Sequence, residues 1–242
     1  MERPKWVKMA ARTGAALGIG LLSQILDGRD QARADPQVIT KGNENRAEVA
    51  LTLDCGGPWV NVSHLNSILD AFDEYEITAT FYHSGAFIDG YAQKYPEVLE
   101  RLKRHESGNH GYDHLNHTQI SEEEQRSELR KTKKALEDNS FADSGQWRPP
   151  FGARIPRVAQ IAEEEGYPLI VMWTTDSGDW IPNKPPEVVK ATVLSQVYNG
   201  SIFVMHCNSW QTAQVLPDIL SQLKEWGIKA TTINQIIRNE EP

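Results

Sequence analysis

The sequence predicts an α/β fold, one irregular α/β barrel of parallel strands covered by helices. Two observations predict it. From Ala47 onward, short apolar runs alternate with helical patterns at close intervals, which implies βαβ crossovers and parallel pairing. The polar residues with chemical potential also fall just past the carboxyl ends of predicted strands, positions that converge on one mouth in a parallel barrel. A chain of 242 residues is long enough for one large core. No internal repeat or low-complexity linker divides it.

Glu48 to Leu53 reads as the first strand, with Asp54 and Cys55 in the loop beyond. Val62 to Tyr75 has helical periodicity in Val62, Leu65, Ile68, Leu69 and Phe72. Ile77 to Tyr82, rich in β-branched and aromatic residues, is a second strand. Pro96 to His105 is helical, and a short strand or loop bearing His110 and His114 follows. Ser121 and Glu124 form a capping box that opens a charged helix to about Leu136. Trp147 to Gly152 leads into a helix from Arg157 to Glu165, which Gly166 ends. Leu169 to Trp173 is a strand, with Thr174 to Trp180 as the loop beyond it. Glu187 to Val197 is helical, and Ser201 to Met205 is a strand ending at His206. A last helix from Val215 to Trp226, with Pro217 in its first turn, and a strand from Ala230 to Ile233 close the domain.

Residues 1–34 differ from the rest. A basic start precedes a small apolar run from Ala15 to Leu26, and Ala32-Arg33-Ala34 has the small-x-small form of a cleavage site. A secretory signal peptide is predicted; an uncleaved anchor that tethers the chain to a membrane, or a soluble amphipathic extension, are the alternatives. Residues 35–46 then form a linker and 47–242 a single domain of catalytic size. The expected protein is an exported monomer, extracellular, periplasmic or cell-wall associated. Its composition, 24% charged and 39% hydrophobic, is ordinary for a soluble enzyme. The formal charge of −8 argues against nucleic acid as a partner, which needs a basic stripe.

His110 and His114 carry the most chemical information. Two imidazoles four residues apart converge on one metal ion if the backbone between them turns once, and Asp54 or Cys55 is available as a third donor. Taken alone, the spacing fits two surface histidines on a helix equally well. Four further segments change that balance.

In order, Leu-Thr-Leu-Asp54-Cys55-Gly, His110-Gly-Tyr-Asp-His114, Arg148-Pro-Pro-Phe-Gly152, Asp176-Ser-Gly-Asp179-Trp180 and Phe-Val204-Met-His206-Cys207 resemble the polysaccharide deacetylases, the NodB-homology domain of carbohydrate esterase family four. The resemblance covers roughly residues 47 to 235. It implies a distorted (β/α) barrel that removes acetyl groups from sugar polymers with a divalent metal. By position, His110 and His114 become metal ligands and Asp54 the general base, oriented and kept charged by Arg148. His206 becomes the general acid, its pKa raised by Asp179. The Phe151 N–H joins in stabilising the oxyanion, and Trp180 and Val204 line a slot for the acetyl methyl group. Singly, each residue has a plainer structural role, such as a turn cap at Asp179 or a buried histidine at 206. His64, His83, His105 and His117 are left with structural roles.

Two positions depart from the family pattern, and both are cysteines. Cys55 stands where a second aspartate is the usual metal ligand; a thiolate there completes a Cys-His-His set that favours zinc over harder ions. Cys207 follows His206 where an aspartate is common. The alternative is that the two cysteines approach closely enough to bond, which removes a ligand. Gly111 also replaces the hydroxyl residue usual after the first histidine. The resemblance implies an exported, zinc-dependent deacetylase of N-acetylated glycans, of the peptidoglycan or chitin type. O-acetyl ester hydrolysis on xylan-like chains uses the same chemistry. A non-catalytic carbohydrate-binding relative is the reading from another class, motivated by Cys55.

Overall fold

The computed structural model describes residues 36–57 and 60–238. The expected signal or anchor segment, residues 1–34, lies outside the described residues. No helix among those described is long and apolar enough to cross a membrane.

The organising strand is β2 (Glu48–Cys55), buried along all eight residues. Its continuous apolar character is what a strand covered on both faces requires. Period-two alternation sends Val49, Leu51, Leu53 and Cys55 into the large core between sheet and helices, where they meet Leu65, Phe72, Leu216 and Ile219. Ala50 faces the other way, packing with Tyr82, Val171 and Ile202 inside the curl of the sheet. Thr52 and Asp54 continue that inner row toward the strand's carboxyl end.

Eight more strands complete a nine-stranded sheet. They are β1 (Gln37–Ile39), β3 (Thr80–His83), β4 (Glu106–Asn109), β5 (Asp143–Trp147), β6 (Leu169–Val171), β7 (Thr175–Asp176), β8 (Ser201–His206) and β9 (Lys229–Thr231). Pairing is parallel throughout, in the order β1-β6-β5-β4-β3-β2-β8-β7, with β9 alongside the first half of β2. The sheet curls into a half-barrel, and the chain leaving β6 crosses its open side. Met172 N–H still donates to Ile39 O at 2.8 Å, whereas Thr174 N–H donates to Ile202 O of β8 at 2.9 Å.

The helices α1 (Val62–Glu74), α2 (Gly85–Lys94), α3 (Pro96–Leu102), α4 (Glu122–Asp138), α5 (Pro156–Glu164), α6 (Pro186–Ser195), α7 (Trp210–Glu225) and α8 (Ile233–Ile236) cover the sheet. The predicted capping box is present: Glu124 N–H donates to Ser121 Oγ at 3.2 Å and Ser121 N–H to Glu124 Oε2 at 2.8 Å. Several boundaries differ from expectation for identifiable reasons. Gln37–Ile39, expected as linker, pairs with β6 as an edge strand. Asp54 and Cys55 belong to β2 itself and not to the loop beyond it. Ser209 caps α7 by accepting from Thr212 N–H at 3.0 Å, so the helix starts five residues early and Pro217 falls in its interior. Thr232 caps α8, so the final strand stops at Thr231.

Candidate active site

Asp54 and His206 lie at the carboxyl ends of neighbouring parallel strands and are direct partners in the β2–β8 register. Each is held by a buried group of opposite charge. Arg148 Nη1 donates to Asp54 Oδ1 at 2.8 Å and to Thr52 Oγ1 at 2.7 Å. The rest of the guanidinium reaches the carbonyls of Val171 and Met172, both at 3.2 Å, and its carbon stands 4.2 Å from the centre of the Tyr82 ring. Arg148 is fully buried, so its fork is fixed from every side. Burial pushes the Asp54 pKa upward, but the Arg148 guanidinium foremost, with His206, outweighs it and holds the carboxyl below its ordinary value. Asp54 is therefore ionised at neutral pH.

The second pair has the opposite polarity. His206 Nδ1–H donates to Asp179 Oδ1 at 2.7 Å, which leaves Nε2 for the cavity. Asp179 Oδ2 accepts from His206 N–H at 2.9 Å and from Thr212 Oγ1 at 2.5 Å. Burial works against a charged imidazole, yet Asp179 and then Asp54 raise the His206 pKa above its usual value. One wall of the site thus keeps a proton acceptor, the other a proton donor.

His110 and His114 sit on the loop after β4. Asn109 Oδ1 accepts from Gly111 N–H at 2.8 Å, and buried Glu128 of α4 accepts from Tyr112 N–H at 2.8 Å and Asp113 N–H at 2.7 Å. These bonds set the turn on which His114 adopts φ 57°. His110 is 2.8 Å from Arg148 O through Nδ1, which must donate because a carbonyl only accepts. Its Nε2 then faces Asp54 Oδ2 at 3.6 Å. Burial drives the His110 pKa down to about 3, only partly opposed by Asp54, so the imidazole is neutral. The ring of His114 lies 4.9 Å from that of His110 and 4.7 Å from that of Phe151.

Cys55 behaves differently from the expected zinc ligand. Its sulfur is bonded to that of Cys207, both residues are fully buried, and both belong to the apolar core outside the half-barrel. Disulfide sulfur lacks the thiolate charge that binds zinc. The strand alternation also turns Cys55 to the face opposite Asp54, away from the cavity. The expected Cys55–His110–His114 set is therefore corrected. The two imidazoles have the free Nε2 and, at His110, the outer hydrogen bond that suits a metal ligand. The Cys55 sulfur is not with them, and among the described residues no group of three or more His, Cys, Asp or Glu side chains is placed to hold a metal ion.

The cavity at the carboxyl end of the sheet measures about 610 Å³. Asp54, His110, His114, Asp179 and His206 all line it, as do the expected pocket residues Phe151, Trp180 and Val204. Val204 is buried in the floor, but Trp180 is 59% exposed and Phe151 67%, which makes them rim residues. Trp180 is fixed there by Nε1–H donating to Asp176 Oδ2 at 3.1 Å. Sequence reasoning missed Thr52, Thr212, Glu128 and Trp210. The first three act by bonding other site residues, and no local pattern marks such a role. His83, His105 and His117 are buried and do not line the cavity.

Residues 41–170, more than half of the chain, match the family described as polysaccharide deacetylase. The chain belongs to the polysaccharide deacetylase family. Enzymes of this family are generally metal-dependent. A Bacillus cereus peptidoglycan-N-acetylglucosamine deacetylase is 29% identical over 206 residues, covering 83% of this chain and 72% of the relative. The uncharacterised Bacillus subtilis protein YlxY is 29% identical over 203 residues, 84% of this chain but only 61% of its own length. Among solved structures, a wild-type CE4 family pseudoenzyme from Bacillus anthracis superposes with a TM-score of 0.77 at 26% identity, over 86% of this chain and 71% of that one. A mutant of that pseudoenzyme, described as having restored enzymatic activity, gives the same TM-score at 28% identity, over 86% and 73%.

Proposed function

We propose that this chain removes acetyl groups from an N-acetylated glycan of the peptidoglycan type, outside the cell or at the cell wall. One observation carries the reading: a charged carboxylate and an imidazole whose pKa is raised face one cavity from adjacent strand ends, each held by its own buried partner of opposite charge. Amide hydrolysis needs those two groups in those two protonation states. Asp54 takes a proton from a water molecule, and the oxygen attacks the acetamide carbonyl. In this reading the Phe151 N–H stabilises the resulting oxyanion, and His206 gives its proton to the departing nitrogen. Asp179 stabilises the imidazolium until that transfer. No step is assigned to a metal, because the donor set found in this chain does not match the Cys-His-His centre. The Bacillus cereus relative, named for deacetylating peptidoglycan, supports the substrate class.

The test is acetate release from peptidoglycan and from N-acetylglucosamine oligomers, with and without added zinc. A second reading has a specific observation behind it. Cys55 is sealed in a disulfide, and a pseudoenzyme is among the similar structures, which favours a glycan-binding chain without turnover. Glycan binding with no acetate release under either condition would select that reading.

The acid pair also predicts a pH dependence. His206 works when protonated and its pKa is raised, so turnover is retained above the ordinary histidine value of 6.5 and lost as pH rises through the shifted one. Removing the Asp179 charge takes away the main influence raising that pKa. In Asp179→Asn the alkaline limb of the rate profile should move to lower pH; an unmoved limb would remove His206 as the acid.

A further inference from the structure

The cavity is larger than its chemistry needs. An acetyl group fills a small part of about 610 Å³, a volume in the range of pockets that enclose whole ligands. Its buried floor carries the polar proton-transfer residues beside Val204, whereas its rim is aromatic and exposed. Trp210 lines the same cavity, is 44% exposed, and had no role in the reaction described above. It is the first residue of α7, so its backbone is fixed by the Ser209 cap at the helix start. With Trp180 and Phe151 it makes three large aromatic residues at one opening, where a scattered surface would show one.

The chemistry of the opening selects a class of ligand. An exposed indole offers a broad apolar face with a polar edge, suited to a ligand that is apolar on its faces and hydroxylated at its rim. Pyranose rings have that character. The carboxylates of Asp54, Asp176 and Asp179 line the cavity and the chain carries a net charge of −8, so a polyphosphate chain would be repelled. We propose that Trp210 is a stacking platform for a second sugar of an extended neutral glycan, one that does not itself lose its acetyl group. Trp210 thereby sets a preference for polymer over short fragments. The proposal rests on the deacetylase reading and deepens it, naming an extended chain as substrate.

The test compares N-acetylglucosamine dimer and pentamer on the full chain, in the wild type, Trp210→Ala and Trp210→Phe. Calorimetric binding is measured beside KM and kcat for acetate release. Trp210→Ala should weaken the pentamer about tenfold in Kd and KM, equivalent to about 1.4 kcal/mol. Binding of the dimer and kcat should stay within about twofold on that same scale. Trp210→Phe, which keeps an aromatic face, should recover most of the loss. Equal losses for dimer and pentamer, or no loss for either, would overturn the platform, as would a wild type that binds neither oligomer. A wild type that binds the pentamer through Trp210 yet releases no acetate would overturn the deacetylase reading and leave the platform standing. A thermal melt of each variant separates misfolding from lost contact, and Trp210→Phe decides the matter if the alanine variant does not fold.

Discussion

Asp54→Asn should reduce acetate release by about 10²–10⁴-fold, the range a positioned general base contributes. Asparagine keeps the shape and one acceptor oxygen for Arg148 Nη1, so the guanidinium retains its bonds to Thr52, Val171 and Met172. What disappears is the negative charge that takes a proton from water. Asp54→Ala would be a poorer test: it strands a fully buried cation, a change that costs about 3–5 kcal/mol when one partner of a buried pair is removed. The measurement is kcat for the asparagine variant beside its melting curve. Unchanged turnover with an intact fold would dismiss Asp54 as the base.

Replacing both Cys55 and Cys207 by alanine should produce a large loss of stability. The bond closes a segment of 152 residues, for which chain entropy alone sets a ceiling of about 5 kcal/mol. Native disulfides more often give about 2–4 kcal/mol. Alanine is the appropriate replacement because both positions lie in the apolar core, where serine would bury an unpaired hydroxyl. Denaturant unfolding should show the midpoint falling, and thiol titration of unfolded, unreduced protein should find no free thiol. Two reactive thiols and an unmoved midpoint would remove the bond from the description of this protein.

Much of the fold was legible because its signals are local. The β2 run, the stripe of α1 and the capping box of α4 needed no knowledge of distant residues. Other elements carry weak signals. Two glycines, Gly85 and Gly90, interrupt α2, and β5 reads Asp-Ser-Gly-Gln-Trp, without a β-branched residue. Tertiary pairing makes that segment a strand, not propensity. At the site, Asp54, Arg148, Asp179 and His206 could be named because they recur in ordered motifs. The direction of Cys55 could not. Ending β2 at Leu53 frees the next two residues to point either way, whereas extending it to Cys55 binds them to a two-residue period. That difference of two residues turned a presumed zinc ligand into a core sulfur.

Gly56 contributes to the cavity through what it lacks. A β-carbon there would lie 2.6 Å from His114 Cδ2 and 2.8 Å from Nε2, so the imidazole occupies the volume that any other residue would claim. The address of this histidine is written partly into a vacancy just past the end of β2. Directed evolution of the protein accordingly has a forbidden position beside the chemistry and a permissive one at the aromatic opening, where substrate choice can drift without disturbing the proton-transfer pairs.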